Sequence, residues 1–176
     1  MNLTHKIELV PNNKQIGYFK KASGTSRLVY NLAIVMWEDA YAKGESRNAM
    51  ALSKKFNSIK YAKYPWLNDI HRDAHVQPFF DLQNGYKRYF LKMSAKPKFK
   101  KKGEHDSFYI ANDRLLFKDK SIKMPKIATI KTHQTLRLQG KIYGARVVRE
   151  ADKWFICVSM ELQDYKKPRT SDGIVG

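Results

Sequence analysis

The two ends of the chain alternate apolar and polar positions, whereas its middle repeats apolar positions every three to four residues. Leu3, Ile7 and Leu9 share one face of the run 1–10, and Pro11 ends that run. A period of two is typical of a half-buried β-strand, and a period of 3.6 is typical of an amphipathic helix. The pattern therefore predicts one strand, then a helical region, then a second region of strands.

The helical period extends from Asn12 to about Met93. Asn13 is a candidate cap for a first short helix that closes at Gly24, because asparagine caps helix N-termini and glycine ends helices. Thr25 or Ser26 then caps the next helix. The predicted helices are 13–22, 27–42, 49–61 and 72–92, with a rigid turn at 65–67 before the last of them.

From residue 94 onward, β-branched and aromatic residues are enriched and the period falls toward two, which predicts strands. These strands are 107–111, 115–117, 121–124, 128–138, 140–149 and 153–162, and the tail 163–176 is polar and linker-like. One strand before the helices and about six after them favour an α+β fold. The simplest such architecture is a small β-barrel with a helical bundle inserted near its start.

The charge of the chain indicates its kind of partner. There are 34 Lys and Arg against 16 Asp and Glu, which gives a net charge of +18. Self-repulsion opposes the folding of such a chain, and a polyanion removes that penalty through counterion release. No apolar run approaches the roughly 18 residues of a membrane span, and no signal peptide or lipidation motif is present. We therefore expect a cytoplasmic, nucleoid-associated protein that binds nucleic acid and no membrane.

The positive charge is concentrated in two stretches. Residues 87–102 contain eight basic residues and no acidic one, and Phe99 places an aromatic ring among them, as base-stacking surfaces do. Residues 117–149 contain nine basic residues and one acid, Asp119, on predicted strands. Alternation along these strands predicts a positive wall on the outside of the barrel. The alternative for the lysine run alone is a solvated loop.

No set of residues in the sequence forms a catalytic or metal-binding motif. His71 and His75 lie four residues apart on a predicted helix, but no third ligand accompanies them. Asp106, Asp113 and Asp119 are predicted to be turn residues. The single cysteine lies in the last predicted strand and is expected to be a buried, inert thiol. We expect no catalytic residue, no metal ligand and no cofactor on this chain.

Six short motifs in a fixed order resemble those in the N-terminal half of the TnpB (OrfB) proteins, which are transposon-encoded RNA-guided DNA endonucleases related to type V CRISPR effectors. The resemblance covers essentially the whole chain. The motifs are LVPNNKQ at 9–15, GTSRLVYN at 24–31, YPWL at 64–67, VQ at 76–77 with YKRYF at 86–90, KPKFKK at 96–101 and IKMPK at 122–126.

The resemblance implies a wedge-type, OB-like β-barrel interrupted by a helical recognition bundle and followed by a RuvC nuclease domain with a zinc finger. On this basis, residues 1–11 and 94–165 form the wedge barrel and residues 12–93 form the recognition insertion. Residues 166–176 are then the linker to the RuvC domain.

The resemblance also implies that the barrel and helices hold a guide RNA from the transposon end and read a short target-adjacent motif on double-stranded DNA. Gln77 and Asn112 suit base reading, because an amide can bond an adenine edge in two places. The predicted DNA-binding residues are Arg27, Asn31, Ser53, Gln77 and Asn112. The predicted RNA-binding residues are Lys96, Lys98, Lys100, Lys101, Lys102, Lys126, Lys131 and Arg146.

The sequence stops just before the position where the family places the first metal-binding Asp of RuvC, and Asp172 lies upstream of that position. The divalent metal of RuvC and the zinc of the finger are therefore expected outside this chain. We expect the chain to cut nothing by itself and to work with a separate nuclease half. Two alternatives stay open: a regulator that uses a guide to occupy DNA without cutting it, and a generic basic RNA-binding protein. Whether the shortening is natural or engineered also stays open.

Overall fold

The computed structural model describes residues 2–137 and 140–162, in which one strand is followed by three helices and then six strands. The helices are α1 (Asn13–Ala42), α2 (Ala49–Lys63) and α3 (Asp73–Phe90), with short 3₁₀ turns at Pro65–Asp69 and Asn112–Arg114. The strands are β1 (Asn2–Val10), β2 (Ser107–Ala111), β3 (Leu116–Lys118), β4 (Ser121–Lys123), β5 (Ile130–Thr132), β6 (Lys141–Glu150) and β7 (Lys153–Glu161).

The strands form one antiparallel sheet in the order β2-β6-β7-β1-β5-β4-β3. Strand β1 is central: it pairs with β7 from Asn2 to Leu9 and with β5 only at Leu9 and Val10. Within the described residues no ladder joins the edge strands β2 and β3, so the sheet is a curled half-barrel and not a closed barrel. The predicted α+β class is confirmed.

Helix α1 is continuous over 30 residues, so the predicted break at Gly24 is wrong. Its cap is Asn12 and not Asn13, because the Asn12 side chain accepts a hydrogen bond from the Gln15 backbone N–H at 2.9 Å. Thr25, a predicted cap of the second helix, instead donates its hydroxyl to the Lys21 carbonyl one turn earlier, at 2.9 Å. A threonine satisfied in this way remains compatible with the interior of a helix. The helix therefore runs through the predicted boundary.

Two hydrophobic clusters divide the interior, and α1 contributes to both of them. In its first half, the Phe19 ring packs on the sheet at 5.7 Å from the Phe108 ring and 5.1 Å from the Trp154 ring. Its second half packs with α2 and α3 around residues such as Phe56 and Phe79, both nearly inaccessible to solvent. One rigid helix thus fixes the position of the helical region on the sheet.

The edge of strand β2 is covered by the chain that leads into α3. The His71 Nε2–H donates to the Tyr109 carbonyl at 2.8 Å, and the Ala111 N–H donates to the Asp73 carboxylate at 2.9 Å. An uncovered strand edge is a template for pairing with another chain. These bonds therefore protect the edge and attach α3 to the sheet.

Apart from β5, the strands lie within one residue of their predicted bounds. Strand β2 occupies the predicted residues 107–111, whereas β5 is shorter than the predicted 128–138. The chain turns after Thr132, whose hydroxyl donates to the Gln134 carbonyl at 2.9 Å. The predicted linker 166–176 lies outside the described residues. Within the described part of the chain, the helices are too short or too polar to cross a membrane.

Candidate nucleic-acid interface

The Lys-rich segment 96–102 is attached to the helices and does not project as a free loop. The Asn31 carboxamide accepts a hydrogen bond from the Lys100 N–H at 2.8 Å and donates one to the Lys100 carbonyl at 3.0 Å. At its start, Lys96 pairs with Glu38 of α1 at 3.2 Å. The backbone of the segment is therefore held along α1, which gives its cations defined positions.

The lysines of this segment are not equivalent. The Lys100 Nζ lies 4.0 Å from the centre of the Tyr30 ring, and burial lowers the pKa of Lys100. Lys98, Lys101 and Lys102 are exposed and form no ion pair within the described residues. Three of the five predicted RNA-binding lysines of the segment therefore have ammonium groups free for a ligand.

Two arginines join the helices to the strand region through carboxylates. Arg27 of α1 pairs with Asp106, just before β2, at 2.8 Å. Arg146 of β6 donates to both carboxylate oxygens of Asp81 on α3, at 3.0 and 3.1 Å. Gln77 donates to the same carboxylate at 3.1 Å. These contacts, with those of Asn31, form what we call the junction clamp: Arg27, Asn31, Gln77, Asp81, Asp106 and Arg146.

The clamp corrects one prediction and qualifies four others. Asp106, predicted to be a turn residue, is the carboxylate partner of an arginine on another element. The structure also brings four predicted nucleic-acid-binding side chains to the same junction, where each already has an intramolecular partner. They are Arg27, Asn31, Gln77 and Arg146. Their roles toward DNA and RNA stay predictions.

The remaining two predicted DNA-binding residues differ in exposure. Ser53 is 9% exposed on α2, and its hydroxyl donates to the Met50 carbonyl at 3.4 Å. Asn112 is exposed after β2, and its carboxamide oxygen accepts a hydrogen bond from the Asp113 N–H at 2.9 Å. The amide N–H groups of Asn112 have no partner in the described part of the chain. Of the two, only Asn112 presents polar atoms to solvent.

Six exposed cations lie on strands β3 to β5 and on the loops beside them. The register places Lys118, Ser121 and Lys131 in one row across three strands, and Lys123 is two residues from Ser121 on the same face. Since neighbouring strands lie about 4.8 Å apart, the two ends of this row are separated by about 10 Å. Within the described residues no carboxylate pairs with any of the six. We call them the hairpin cations: Lys118, Lys120, Lys123, Lys126, Lys131 and Arg137.

Lysines on the outer face of the central strands are neutralised instead. Lys6 of β1 pairs with Glu150 and lies 4.3 Å above the Phe155 ring. Lys153 of β7 pairs with Glu8 at 2.9 Å, and this hydrogen bond lowers the pKa of the Glu8 carboxyl. The free positive charge of the sheet is therefore concentrated on β3 to β5 and is not spread along the whole predicted wall.

Two buried histidines form contacts that the sequence pattern does not assign. The Nε2–H of His71 donates to a carbonyl, so its Nδ1 accepts the Tyr18 hydroxyl at 2.9 Å and the ring is neutral. Burial lowers the pKa of His71 and raises the pKa of Tyr18 to about 12. The His75 Nδ1 lies 3.5 Å from the Lys60 Nζ, and burial together with that ammonium group lowers the pKa of His75 to about 4. Both rings are therefore neutral: His71 joins the chain before α3 to α1 and β2, whereas the buried Nε2 of His75 has no hydrogen-bond partner among the described residues.

The chemistry available at the surface is the binding of anions. Within residues 2–137 and 140–162, no group of three or more His, Cys, Asp or Glu side chains could hold a metal ion. Cys157 is half-buried and not fully buried as predicted, and burial raises the pKa of its thiol. The hairpin cations and the free lysines of segment 96–102 are two groups of exposed cations without a carboxylate partner in the described residues.

Sequence reasoning recognises the basic stretch 117–149 but assigns a role there only to Lys126, Lys131 and Arg146. It misses the other four hairpin cations. A signal is present, because no acidic residue lies between Lys120 and Arg149. Cations in such a stretch have no local carboxylate to neutralise them and are free for a ligand unless a distant part of the fold supplies one.

Comparison with known proteins gives two matches. A family model described as a helix-turn-helix domain and named for the OrfB proteins matches residues 1–46, which contain β1 and α1. The chain is 25% identical over 177 residues to InsQ of Escherichia coli (strain K12), whose name assigns it to the RNA-guided DNA endonucleases. This match covers 97% of the chain and 43% of InsQ, so the chain spans less than half the length of that relative.

Proposed function

Because the chain belongs to the TnpB/OrfB family, we propose that it is the part of an RNA-guided DNA endonuclease that holds the guide RNA and the target DNA. It reads a short target-adjacent motif on double-stranded DNA. We assign cutting to a RuvC domain with its divalent metal, as the resemblance to the family implies.

We infer that the curled sheet corresponds to the wedge barrel of the family and that the helices correspond to its recognition insertion. The order of elements supports this assignment, because all three helices lie between β1 and β2. The boundaries are then 1–11 and 94–165 for the wedge and 12–93 for the insertion. The first half of α1 lies in the insertion by these bounds but packs against the sheet of the wedge, where Phe19 is buried.

The observation that carries the proposal is the set of hairpin cations. Lys118, Lys123 and Lys131 share one face of the sheet and have no carboxylate partner in the described residues. Each like-charged neighbour raises the energy of the folded protein, and a phosphate backbone lowers it by replacing bound counterions. Binding of a polyanion to this face is therefore favourable, and we assign the guide RNA to it.

Target DNA is assigned to the helical side and to Asn112. The Asn112 carboxamide has unpartnered N–H donors and an oxygen that keeps one lone pair beside its bond from the Asp113 N–H, and such a donor and acceptor pair reads an adenine edge. Gln77 and Arg27 would contact DNA through the polar atoms that their bonds to Asp81 and Asp106 leave unused, or by exchanging these carboxylates for groups of the DNA. Only the exchange would couple DNA binding to opening of the junction clamp.

The test is competitive binding of the chain to two RNAs of equal length. One is copied from the 3′ end of its own gene and the adjoining transposon end, and the other is unrelated. The dissociation constants are measured from about 0.05 to 0.2 M salt, where purely electrostatic contacts weaken steeply. We expect the transposon-end RNA to bind at least tenfold more tightly at the higher salt.

Equal binding to both RNAs over the whole salt range would contradict the guide-holding role and would favour the generic RNA-binding alternative. A blunt duplex that carries neither RNA sequence is the control for charge alone. Its affinity should follow the salt dependence of the unrelated RNA.

A further inference from the structure

A groove lined by aromatic side chains lies between the ends of α1 and α3, away from the hairpin cations. Its volume is about 430 Å³, which is in the range of pockets that hold small planar ligands. Tyr41 is 67% exposed and Phe90 is 63% exposed. The groove is lined by Trp37, Glu38, Tyr41, Arg47, Tyr86, Tyr89, Phe90 and Lys96.

The rings of this groove form a stack that ends at solvent. Trp37 and Tyr86 are parallel within 6°, with ring centres 4.6 Å apart. Phe90 continues the stack from Tyr86 at 6.1 Å and 24°. Trp37 and Tyr86 are buried, whereas Phe90 is exposed. A stack of planar rings whose last member is exposed accepts one more planar ring on its free side.

Two further observations indicate a ligand with polar groups. The Tyr86 hydroxyl is buried and has no hydrogen-bond partner among the described residues, which is a costly state for a polar atom. The Arg47 guanidinium lies 4.5 Å from the centre of the Tyr41 ring and forms no ion pair within the described residues. The single carboxylate of the groove, Glu38, is neutralised by Lys96. The groove therefore has a net positive rim over an aromatic floor.

We propose that this groove binds one unpaired base of the nucleic acid, stacked on Phe90 beside Tyr41, with its phosphate at Arg47. The inference rests on the proposed function and adds a contact that needs an unpaired strand. Every base has a planar face, so stacking suits a site that does not read sequence. Charge complementarity favours a nucleotide over an apolar helix of another protein, because a buried apolar helix would leave Arg47 desolvated and unpaired.

The experiment measures the affinity of the full chain for single-stranded RNA, single-stranded DNA and blunt duplex DNA of equal length. Phe90→Ala and Tyr41→Ala remove the exposed rings, and Ile59→Ala removes a 50% exposed apolar side chain of α2 that does not line the groove. We expect each aromatic variant to bind a single strand about tenfold more weakly, as the loss of a base–aromatic stack does. In Phe90→Ala the slope against salt and the duplex affinity should not change, because this substitution removes no cation and leaves Arg47 over the Tyr41 ring.

A second measurement distinguishes a loss of base stacking from a loss of folding. A strand that carries one 2-aminopurine should lose fluorescence when it binds the wild-type chain, and it should keep that fluorescence with Phe90→Ala. A response of the RNA strand alone assigns the base to the guide, and a response of the DNA strand alone assigns it to the target. Both outcomes support the proposal.

Wild-type affinity for single strands in both aromatic variants would overturn this inference and leave the proposed function standing. The inference would also be overturned if the aromatic variants lost affinity for single strands and for duplex equally. It would likewise be overturned if Ile59→Ala lowered the affinity for single strands as much as Phe90→Ala does. If the wild-type chain binds none of the three nucleic acids, the proposed function fails and the inference fails with it.

Discussion

The junction clamp and the hairpin cations contain similar residues in opposite circumstances. At the clamp, Arg27 and Arg146 each have a carboxylate partner from another element, and their side chains are 21% and 33% exposed. On β3 to β5, the cations are exposed and have no such partner in the described residues. The same type of charge therefore joins elements in one region and remains available for a ligand in the other.

The difference shows that the role of a basic residue in this chain depends on whether a carboxylate from another element pairs with it. Asp106 is 79 residues from Arg27, and Asp81 is 65 residues from Arg146. Charge-assisted pairs of this kind fix geometry when they are partly buried. A cation without a partner contributes self-repulsion instead, which a nucleic acid relieves. The predictions below test whether the two regions are distinct, from the largest expected effect to the smallest.

Removal of a clamp carboxylate tests whether the paired arginines stabilise the fold. Asp81→Ala leaves Arg146 and Gln77 without their partner, and we expect a loss of about 2 kcal/mol in the free energy of unfolding. This value is below that of a fully buried pair, because Arg146 is a third exposed. Thermal unfolding should shift down by about 4–8 °C. The control is Glu150→Ala, which removes an exposed partner and should cost less than about 0.5 kcal/mol.

If Asp81→Ala were as stable as the control, the clamp would not stabilise the fold. Its RNA affinity, measured below the unfolding temperature, should remain within about twofold of wild type. A large loss of RNA affinity without a loss of stability would place the clamp in the binding surface instead.

Acid should weaken the helical region and leave the hairpin cations charged. The folded-state pKa values of His71 and His75 lie below the usual 6.5, so the unfolded chain binds more protons than the folded chain between pH 6.5 and about 4. Stability is therefore full above pH 6.5 and falls as the pH decreases toward 4. Between pH 6.5 and 5 we expect a loss of about 1–2 kcal/mol, measured by urea unfolding at each pH.

His75→Leu should flatten this pH dependence, whatever its effect on absolute stability. The control is His133→Gln, which removes a histidine outside the helical region whose side chain is 63% exposed. A slope in His75→Leu equal to that of the wild type would show that the ring titrates normally.

Release of the backbone of segment 96–102 from α1 tests whether the attachment at Asn31 holds the lysines of that segment in place. Asn31→Ala removes both hydrogen bonds to Lys100, and we expect a loss of about 1 kcal/mol together with faster tryptic cleavage within 96–102. Asn84→Ala, an exposed position on α3, is the matched control and should cleave as the wild type does. If Asn31→Ala weakened DNA binding while cleavage stayed slow, Asn31 would contact DNA directly.

The smallest effect concerns the helix that joins the two regions. Gly24→Ala should stabilise the chain by about 0.5–1 kcal/mol, since alanine favours a continuous helix and the added methyl group meets only Arg27 at 3.7 Å. Gly44→Ala is the contrast, because φ there is +67° and an alanine is strained. Thermal unfolding of the two variants should shift in opposite directions. A lower unfolding temperature for Gly24→Ala would support the predicted helix break at Gly24.

Much of the fold could be predicted from periodicity alone. The order of strands and helices along the chain, the bounds of β2 and the extent of the helical region follow from the spacing of apolar residues. The continuity of α1 could not be predicted in this way, because Thr25 is a cap residue by type and is satisfied only by the Lys21 carbonyl within the helix. The shortening of β5 likewise depends on a local bond of Thr132.

The candidate site was predictable as a region but not residue by residue. The excess of lysine marks residues 87–102 and 117–149 as basic. Pattern alone could not show that Arg27 and Arg146 are paired, since their carboxylates lie on other elements. It also could not place Phe90 at the end of an aromatic stack, because that requires the packing of α1 against α3.

The most direct test of the account is the salt dependence of RNA binding in two triple variants with the same change in net charge. One combines Lys118→Gln, Lys123→Gln and Lys131→Gln on the hairpin face. The other combines Lys6→Gln, Lys43→Gln and Lys153→Gln, whose lysines are each paired with a carboxylate.

If the hairpin cations contact phosphates, the first variant should have a slope of log K against log salt that is shallower by about 2, and an affinity at 0.1 M salt that is about 100-fold lower. The second should change the slope by less than about 0.5. Equal slopes for the two triple variants would contradict the account, because unpaired and paired lysines would then contribute alike.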